Sequence, residues 1–403
     1  MPVNAAAGFY GAGAAALALM PLVMTLANRS SPALVAVAAL LVLAGRFAEA
    51  PRGVARLLVA PLATPPGIAA LAFLLWCLVS CAWSPFPDVT ARAAREFGPT
   101  LVAAYLLARL APGRIPDFAG PLALAAIAAS GLLIAVGLAF DLPLQRLLGQ
   151  RAIAFVYNRP AMTLVLVMGP LALVLWRTGR PLAALALLAV ALPGILRSIS
   201  GAAMLGLAAG LATALVAWLL PRRFAIGLTG LGLGLAVALA PVEGDLLLRL
   251  MPEAAHARLE HSSSRARVAI ARSFGAAVAA DPWRGAGFGV APRFAEAPVA
   301  ERIEPELRPM LAVGHPHNSF LQVWSELGLP GAVLLALSLL LALRAVAGLD
   351  RPDRVAALGL VGAAAAIAFV EHNAWAAWWT AGLGAAITWL REAGLRAQRS
   401  GQG

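Results

Sequence analysis

The sequence predicts an all-α membrane protein that crosses the bilayer many times. Of its 403 residues, 61% are hydrophobic and 12% are charged, and the mean hydropathy is +0.83. A soluble domain has about 25% charged residues, because its surface must face water. This chain has too few charged residues to cover such a surface, and its apolar residues form long runs separated by short polar connections.

The apolar runs are predicted to be transmembrane helices, which need roughly 17 to 25 predominantly apolar residues. We predict about twelve spans, the second and fourth being the shortest. Their approximate ranges are 8–27, 31–46, 67–83, 97–111, 119–140, 160–176, 181–197, 200–220, 224–241, 329–348, 353–371 and 374–390.

The arginines orient these spans, because basic residues concentrate in short cytoplasmic connections. All 31 basic residues are arginine. With the N-terminus inside, every cytoplasmic connection and the C-terminal tail is basic. The residues concerned are Arg46, Arg52, Arg56, Arg109, Arg114, Arg177, Arg180, Arg222, Arg223, Arg344, Arg351, Arg354, Arg391, Arg396 and Arg399. The net charge of +12 therefore reflects topology and anion binding, and we expect no nucleic-acid partner.

One long outer segment divides the chain into four parts. Residues 1–241 hold spans one to nine, and 242–316 form an extracytoplasmic segment whose short helices roof a cavity open to lipid. Residues 317–391 hold a histidine-containing helix and the last three spans, and 392–403 form the tail. The outer segment has nine arginines balanced by nine acidic residues. Arg146, Arg151 and Arg159 share a short outer connection that contains a single acid, Asp141, so charge balance does not account for them.

A helix within the outer segment is a candidate anion site. Ser262-Ser263-Ser264 predicts a helix N-terminus, with Arg265 and Arg267 in the first turn, and the helical run ends at Asp281-Pro282. Positive side chains oppose the helix dipole there unless an anion is bound. Arginine also offers a planar fork that grips phosphate oxygens. The alternative is a solvated basic helix that pairs with Glu260 and Asp281.

The chain has five histidines, and all of them lie in predicted outer connections. We interpret His256, His261 and His372 as structural. His317 differs because Gly314-His315-Pro316-His317-Asn318 stands between the polar outer segment and an apolar helix. An imidazole there can exchange a proton near neutral pH at the membrane surface, which makes His317 a candidate general base.

These residues carry a resemblance to a known family. His317-Asn318, nine residues, Gly328, two residues and Gly331 match the HN-x9-G-x2-G signature of the O-antigen ligase and polymerase superfamily. Upstream, Arg267 followed by Asp281-Pro282-Trp283-Arg284-Gly285-Ala286-Gly287 resembles a second family segment. Arg151 through Asn158-Arg159-Pro160 resembles a third.

A fourth segment departs from the family pattern. Ser198-Ile199-Ser200-Gly201-Ala202 is similar to a family stretch at the start of a central span, but Gly201 stands where many members have arginine. Arg197 lies one helical turn earlier and is a candidate replacement. The role of this segment therefore stays open.

The resemblance implies a GT-C-like glycosyltransferase of the bacterial inner membrane with its active site on the periplasmic face. For a ligase, glycan moves from undecaprenyl pyrophosphate to a sugar hydroxyl of lipid A-core, with inversion. A departing pyrophosphate needs positive charge, and the attacking hydroxyl needs a base. We assign His317 as the base, with Asn318 and His315 beside it. Arg159, Arg265 and Arg267 are the first candidates for pyrophosphate binding, and Arg151 and Arg284 the second.

No cofactor or metal is expected. Glu304-Pro305-Glu306 is interpreted as a solvated turn, and His315 and His317 lack an acidic partner cluster, so we expect arginines to replace a metal. The turn Gly285-Ala286-Gly287-Phe288-Gly289 fits no βαβ unit, which excludes a dinucleotide site. Enzyme alternatives within the superfamily are a repeat-unit polymerase and a protein O-oligosaccharyltransferase. A lipid-linked glycan flippase is the non-enzyme alternative.

Overall fold

The computed structural model describes residues 2–149, 152–252, 254, 264–370 and 373–400, and every regular element in these residues is helical. The α-helices are α1 (Pro2–Leu26), α2 (Ser31–Glu49), α3 (Pro51–Val59), α4 (Pro65–Ser80), α5 (Pro87–Leu110), α6 (Ala119–Ala139), α7 (Pro143–Leu147), α8 (Asn158–Arg177), α9 (Pro181–Arg197), α10 (Gly201–Leu219), α11 (Arg222–Ala238), α12 (Glu243–Leu250), α13 (Ser264–Ala280), α14 (Ser319–Val346), α15 (Arg351–Val370) and α16 (Ala377–Ser400). The predicted all-α class is confirmed for the described residues.

Each predicted span falls on one of these helices. In the described part of the chain, eight helices are long and apolar enough to cross a membrane, namely α1, α2, α4, α6, α8, α10, α14 and α15. A ninth candidate is α11 together with Ala240–Leu250, a pair bent by 54°. The protein is thus a multi-pass membrane protein. Three predicted spans fall on helices that do not meet this criterion of length and apolarity: 97–111 on α5, 181–197 on the shorter α9, and 374–390 on α16. The count of twelve spans therefore stays a prediction.

Helix α8 lies at the centre of the bundle. Its buried side chains include Leu164, Leu166 and Leu171, and it packs against α9, α15 and α16. Inside a bilayer such contacts depend on close van der Waals packing, because lipid is as apolar as the side chains. Small residues allow that closeness: a Cβ on Gly194 of α9 would lie 2.6 Å from the Cα of Gly131 in α6.

At one end of the bundle, connections that we assigned to the cytoplasm contact one another. Arg396 pairs with Asp117 at 2.6 Å and with Glu392 at 2.6 Å. Arg177 pairs with Asp353 at 3.3 Å. Residues that are far apart in sequence but on the same predicted side are therefore neighbours, which agrees with the grouping of these connections on one side; which side is cytoplasmic stays a prediction.

The opposite end is covered by the segment that follows α11. Helices α12 and α13 and the short 3-10 helices Ala291–Glu296, Pro298–Arg302 and Arg308–Val313 provide the short helices that the sequence predicts there. Phe274 of α13 and Phe294 stack with ring centroids 4.8 Å apart, and both are buried. This aromatic contact joins two elements of the segment to each other, and a cavity lies beside the segment.

Candidate active site

A cavity of about 1390 Å³ opens at this end of the bundle. Six stretches of chain line it: 28–32, 88–100, 153–162, 289–293, 315–322 and 373–378. Each includes part of a connection that the orientation analysis assigns to the outer side. The tertiary fold therefore gathers outer connections from the whole chain around one space.

The cavity lining carries more positive than negative side chains. The charged lining residues are Arg29, Arg92, Arg159, Arg293, Asp88 and Glu96. Arg293 is engaged, because its Nε lies 3.0 Å from Glu296 Oε1 and its guanidinium stacks 4.1 Å from the Phe86 ring centroid. Arg159 lies 5.7 Å from the ring centroid of Trp378. Among the described residues, Arg29 and Arg92 form no ion pair, so their charge is available to an anionic ligand.

His317 lines this cavity in a rare backbone conformation, with φ of +53°. Its backbone N–H donates to His315 Nδ1 at 3.3 Å, and the two ring centroids are 4.2 Å apart. The Nδ1 atom of His317 is buried and has no hydrogen-bond partner among the described residues. Left-handed backbone in a non-glycine residue and an unpartnered buried nitrogen are both features that concentrate at functional sites.

Burial lowers the pKa of His317 to about 4, and the positive charge of Arg267 acts in the same direction. At neutral pH the imidazole is therefore neutral, which is the form that accepts a proton. An anion bound near Arg267 would offset that positive charge and raise the pKa of His317 again.

Asn318 directly precedes α14 and is buried rather than exposed to the cavity. Its Oδ1 accepts hydrogen bonds from the backbone N–H of Phe320 at 2.8 Å and of Leu321 at 3.3 Å. It is therefore an N-cap that satisfies two free donors of the first helical turn. The side chain fixes the start of α14 directly after His317.

The glycines of the two family motifs meet backbone to backbone. Helix α14 kinks at Gly328, where φ is +65° and ψ is −166°. A Cβ on Gly328 would lie 2.4 Å from the carbonyl oxygen of Trp283, and a Cβ on Gly285 would lie 2.6 Å from the backbone of Glu326. Hydrogen bonds from Ala286 N to Ser325 O at 2.9 Å and from Gly287 N to Glu326 O at 2.8 Å join the two segments. Glycine is required here for both conformation and space.

Glu326 holds the cavity side of the same loop. Its carboxylate is fully buried and accepts hydrogen bonds from Gly289 N at 2.6 Å and Ala291 N at 3.1 Å. It also accepts from Gln322 Nε2 at 3.0 Å and Trp375 Nε1 at 2.6 Å. Four hydrogen-bond donors occupy the carboxylate oxygens of Glu326, so its contacts favour a structural role over catalysis.

The structure brings together some of the sequence-predicted site residues. His317, His315 and Arg159 line the cavity, and Arg267 acts electrostatically on His317. Arg265 is exposed in the first turn of α13, and Arg284 lies 5.6 Å from the Trp83 ring centroid. Neither of these two lines the cavity. Arg151, with His256, His261 and His372, lies outside the described residues.

Sequence reasoning missed Arg29, Arg92 and Arg293 as lining residues. The available signal was their position: each arginine stands in an outer connection, where topology alone disfavours positive charge. Only the fold shows that these separate connections share one cavity.

The segment around Ser198 lies elsewhere. Ser200 Oγ accepts from Ala203 N at 3.1 Å and so caps α10, while Ser198 Oγ donates to Ile195 O at 2.7 Å. Arg197 is exposed at the end of α9 and does not line the cavity. The contacts of this segment therefore join two helices, and neither Arg197 nor Gly201 contributes to the cavity wall.

A comparison with protein families identifies the stretch that includes His317. The family model described as O-antigen ligase matches residues 185–336, from α9 through the kink in α14. Over that stretch, the chain is similar to the O-antigen ligase family. Enzymes of the O-antigen ligase superfamily are glycosyltransferase-like. No curated protein matches the chain.

The stretch that matches the O-antigen ligase model supplies His317, Gly289 of the glycine turn and Arg293 to the cavity. Three further lining arginines come from outside it: Arg29 from the connection after α1, Arg92 from the first turns of α5, and Arg159 from the start of α8. The cavity thus joins the family segment to walls contributed by the N-terminal half of the chain.

Proposed function

We propose that this protein transfers a glycan from undecaprenyl pyrophosphate to a sugar hydroxyl of lipid A-core at the periplasmic face of the bacterial inner membrane. The observation that carries the proposal is the placement of a neutral imidazole, His317, in the same cavity as several arginines. This pairing of a base with fixed positive charge suits a reaction in which a hydroxyl attacks and a pyrophosphate leaves. The family match supports the reaction class.

In the proposed step, His317 accepts the proton of the acceptor hydroxyl. The acceptor oxygen then forms a bond to the anomeric carbon while the bond from that carbon to the pyrophosphate oxygen breaks. The electron pair of the broken bond leaves with undecaprenyl pyrophosphate. Attack from the side opposite the leaving group inverts the anomeric configuration.

Arginines on the cavity wall hold the leaving pyrophosphate in this proposal. Arg159 has the pyrophosphate-binding role that the sequence predicts. We add Arg29 and Arg92, because they line the cavity without ion-pair partners in the described part of the chain. Arg267 and Arg265 extend the positive field from α13, with Arg284 and Arg151 as further candidates. A guanidinium keeps its charge at all relevant pH values and binds two phosphate oxygens at once.

We propose that the reaction is independent of metal and cofactor, with the arginines balancing the pyrophosphate charge. Within the described residues, no group of three or more His, Cys, Asp and Glu side chains is arranged to hold a metal ion. The proposal predicts full activity in EDTA.

Reconstitution in liposomes tests the function. The purified protein is combined with an undecaprenyl-pyrophosphate-linked glycan and lipid A-core, in EDTA and without ATP. A ladder of products on lipid A supports the ligase. Elongation confined to the undecaprenyl carrier indicates the repeat-unit polymerase instead, and glycan on an added protein indicates an oligosaccharyltransferase. Movement of the donor across the bilayer without any transfer indicates a flippase.

His317→Ala is the variant that tests the base. General-base assistance contributes about 10²- to 10⁴-fold to a rate. We expect a loss of transfer in that range, with the protein still monodisperse in detergent. His315→Ala is the neighbouring control and should cost less, because its ring supports the His317 backbone rather than accepting the proton. Full transfer by an intact His317→Ala protein would exclude the assignment.

A further inference from the structure

Glu243 is a buried acid that lies close to the site in space but far from it in sequence. It begins α12, is 7% exposed, and does not line the cavity. Its Oε2 accepts a hydrogen bond from Asn318 Nδ2 at 2.5 Å. Asn318 directly follows His317, so a buried carboxylate is connected to the proposed base through one side chain.

The carboxylate of Glu243 determines which way the Asn318 amide points. Oε2 of Glu243 accepts from the NH₂ group of Asn318, so this group faces Glu243. That orientation turns Oδ1 toward the N–H groups of Phe320 and Leu321, which it caps at 2.8 and 3.3 Å. With Asn318 only 1% exposed, water is not available to replace either set of bonds.

This anchorage acts on His317 through the backbone. His317 has φ of +53°, a conformation that persists in a non-glycine residue only where its surroundings hold it. Its own N–H is held by His315, and the next residue is held by Glu243 and the first turn of α14. Hydrogen bonds therefore fix the backbone on both sides of the His317 imidazole.

We propose that Glu243 is a positioning residue for the reaction: through Asn318 it holds His317 at the cavity wall without contacting substrate itself. The inference rests on the proposed function. It predicts a loss in kcat with little change in KM, because the arginines of the cavity wall are untouched and only the placement of the base changes. Misplacement of a reacting group by about 1 Å costs on the order of 100-fold.

Four variants test the pair. Glu243→Ala removes the acceptor and should lower kcat about 10- to 100-fold with KM within about threefold. Glu243→Gln keeps an acceptor oxygen and should stay within about threefold of the wild type. Asn318→Asp alone places two carboxyl groups opposite each other with no donor between them, and its transfer activity should be severely reduced. The double variant Glu243→Gln with Asn318→Asp restores a donor facing a carboxylate, so it should recover most of the activity.

Asp245→Ala is the matched control. Asp245 lies on the same short helix, and its Oδ1 accepts from Arg272 Nε at 2.8 Å in an exposed ion pair. Its removal should leave kcat unchanged. Thermal denaturation of each variant in detergent reports folding. If Glu243→Ala does not fold, the recovery of Asn318→Asp by Glu243→Gln still decides the question.

The two proposals fail in different ways. A wild-type protein that transfers no glycan contradicts the function. An active wild type whose Glu243→Ala variant keeps full kcat, or whose double variant is no better than Asn318→Asp alone, contradicts the positioning role of Glu243.

Discussion

Oε2 of Glu326 accepts a 2.6 Å hydrogen bond from the backbone N–H of Gly289, across the boundary between α14 and the loop that lines the cavity. The same carboxylate binds Ala291, Gln322 and Trp375. One buried acid therefore ties three parts of the chain together beside the cavity. Its importance for stability can be measured directly.

Glu326→Ala should destabilise the protein strongly. The change leaves buried donors on Gly289, Ala291 and Trp375 without an acceptor, and each such group costs about 1–3 kcal/mol. We expect a lower Tm in detergent and a poor yield of monodisperse protein. Glu306→Ala is the control, because Glu306 is exposed in the same outer segment. Equal Tm values for the two variants would contradict the structural role of Glu326.

Gly328→Ala should disrupt the contact between α14 and the glycine turn. Alanine at a φ of +65° costs about 1–2 kcal/mol, and its Cβ would lie 2.4 Å from the Trp283 carbonyl oxygen. We expect reduced Tm together with loss of transfer, because Glu326 lies on the half of α14 before the kink and His317 directly precedes the N-cap of that half. Gly232→Ala is the control, since a Cβ there meets nothing within 4 Å. An unaffected Gly328→Ala protein would show that the kink is dispensable.

Arg267→Gln should change the pH dependence of transfer. The base is active only when neutral, so activity falls as the pH decreases through the pKa of His317, which is about 4 in the unliganded protein. Removing the positive charge of Arg267 makes protonation easier and raises that pKa. The acid limb of kcat/KM, which reports the free enzyme, should therefore move to higher pH.

The control for this shift is Arg284→Gln, because Arg284 is not among the causes of the lowered His317 pKa. Profiles of wild type and both variants are compared over the same range, with assembly checked after return to neutral pH. An acid limb that stays in place in Arg267→Gln would rule out its electrostatic action on His317.

Arg92→Gln should weaken use of the pyrophosphate donor. A hydrogen bond to a charged group contributes about 1.5–3 kcal/mol, which corresponds to roughly 10- to 100-fold in kcat/KM. Arg95→Gln provides a matched control: it is exposed on the same helix, binds the carbonyl of Ala91 at 3.2 Å, and does not line the cavity. Equal effects of the two substitutions would argue against a ligand contact for Arg92.

The placement of most helices could be predicted from the sequence. Apolar length and arginine distribution locate the bundle helices and identify which connections share a side. The helix α13 was predicted from a serine cluster and the Asp281-Pro282 stop, and it ends at Ala280. Helices α5 and α16 show the limit of this reasoning, since both are helical but do not meet the length and apolarity test for a span.

The candidate site was predictable only in part. His317 could be found because an unusual polar motif interrupts an apolar context. Arg265 and Arg267 are two residues apart and looked equivalent in sequence, but helix geometry turns such side chains in different directions. Arg265 is exposed, whereas the charge of Arg267 reaches His317.

Composition and periodicity determined that this chain is a helical membrane protein with a histidine-containing polar motif beside an apolar helix, because hydrophobicity and side-chain chemistry are local properties of the residues. The tertiary structure alone decided that Arg29, Arg92 and Arg159 share a cavity with His317, and that Glu243 binds Asn318. These relations join residues separated by many helices. They depend on how the helices pack, which no short stretch of sequence specifies.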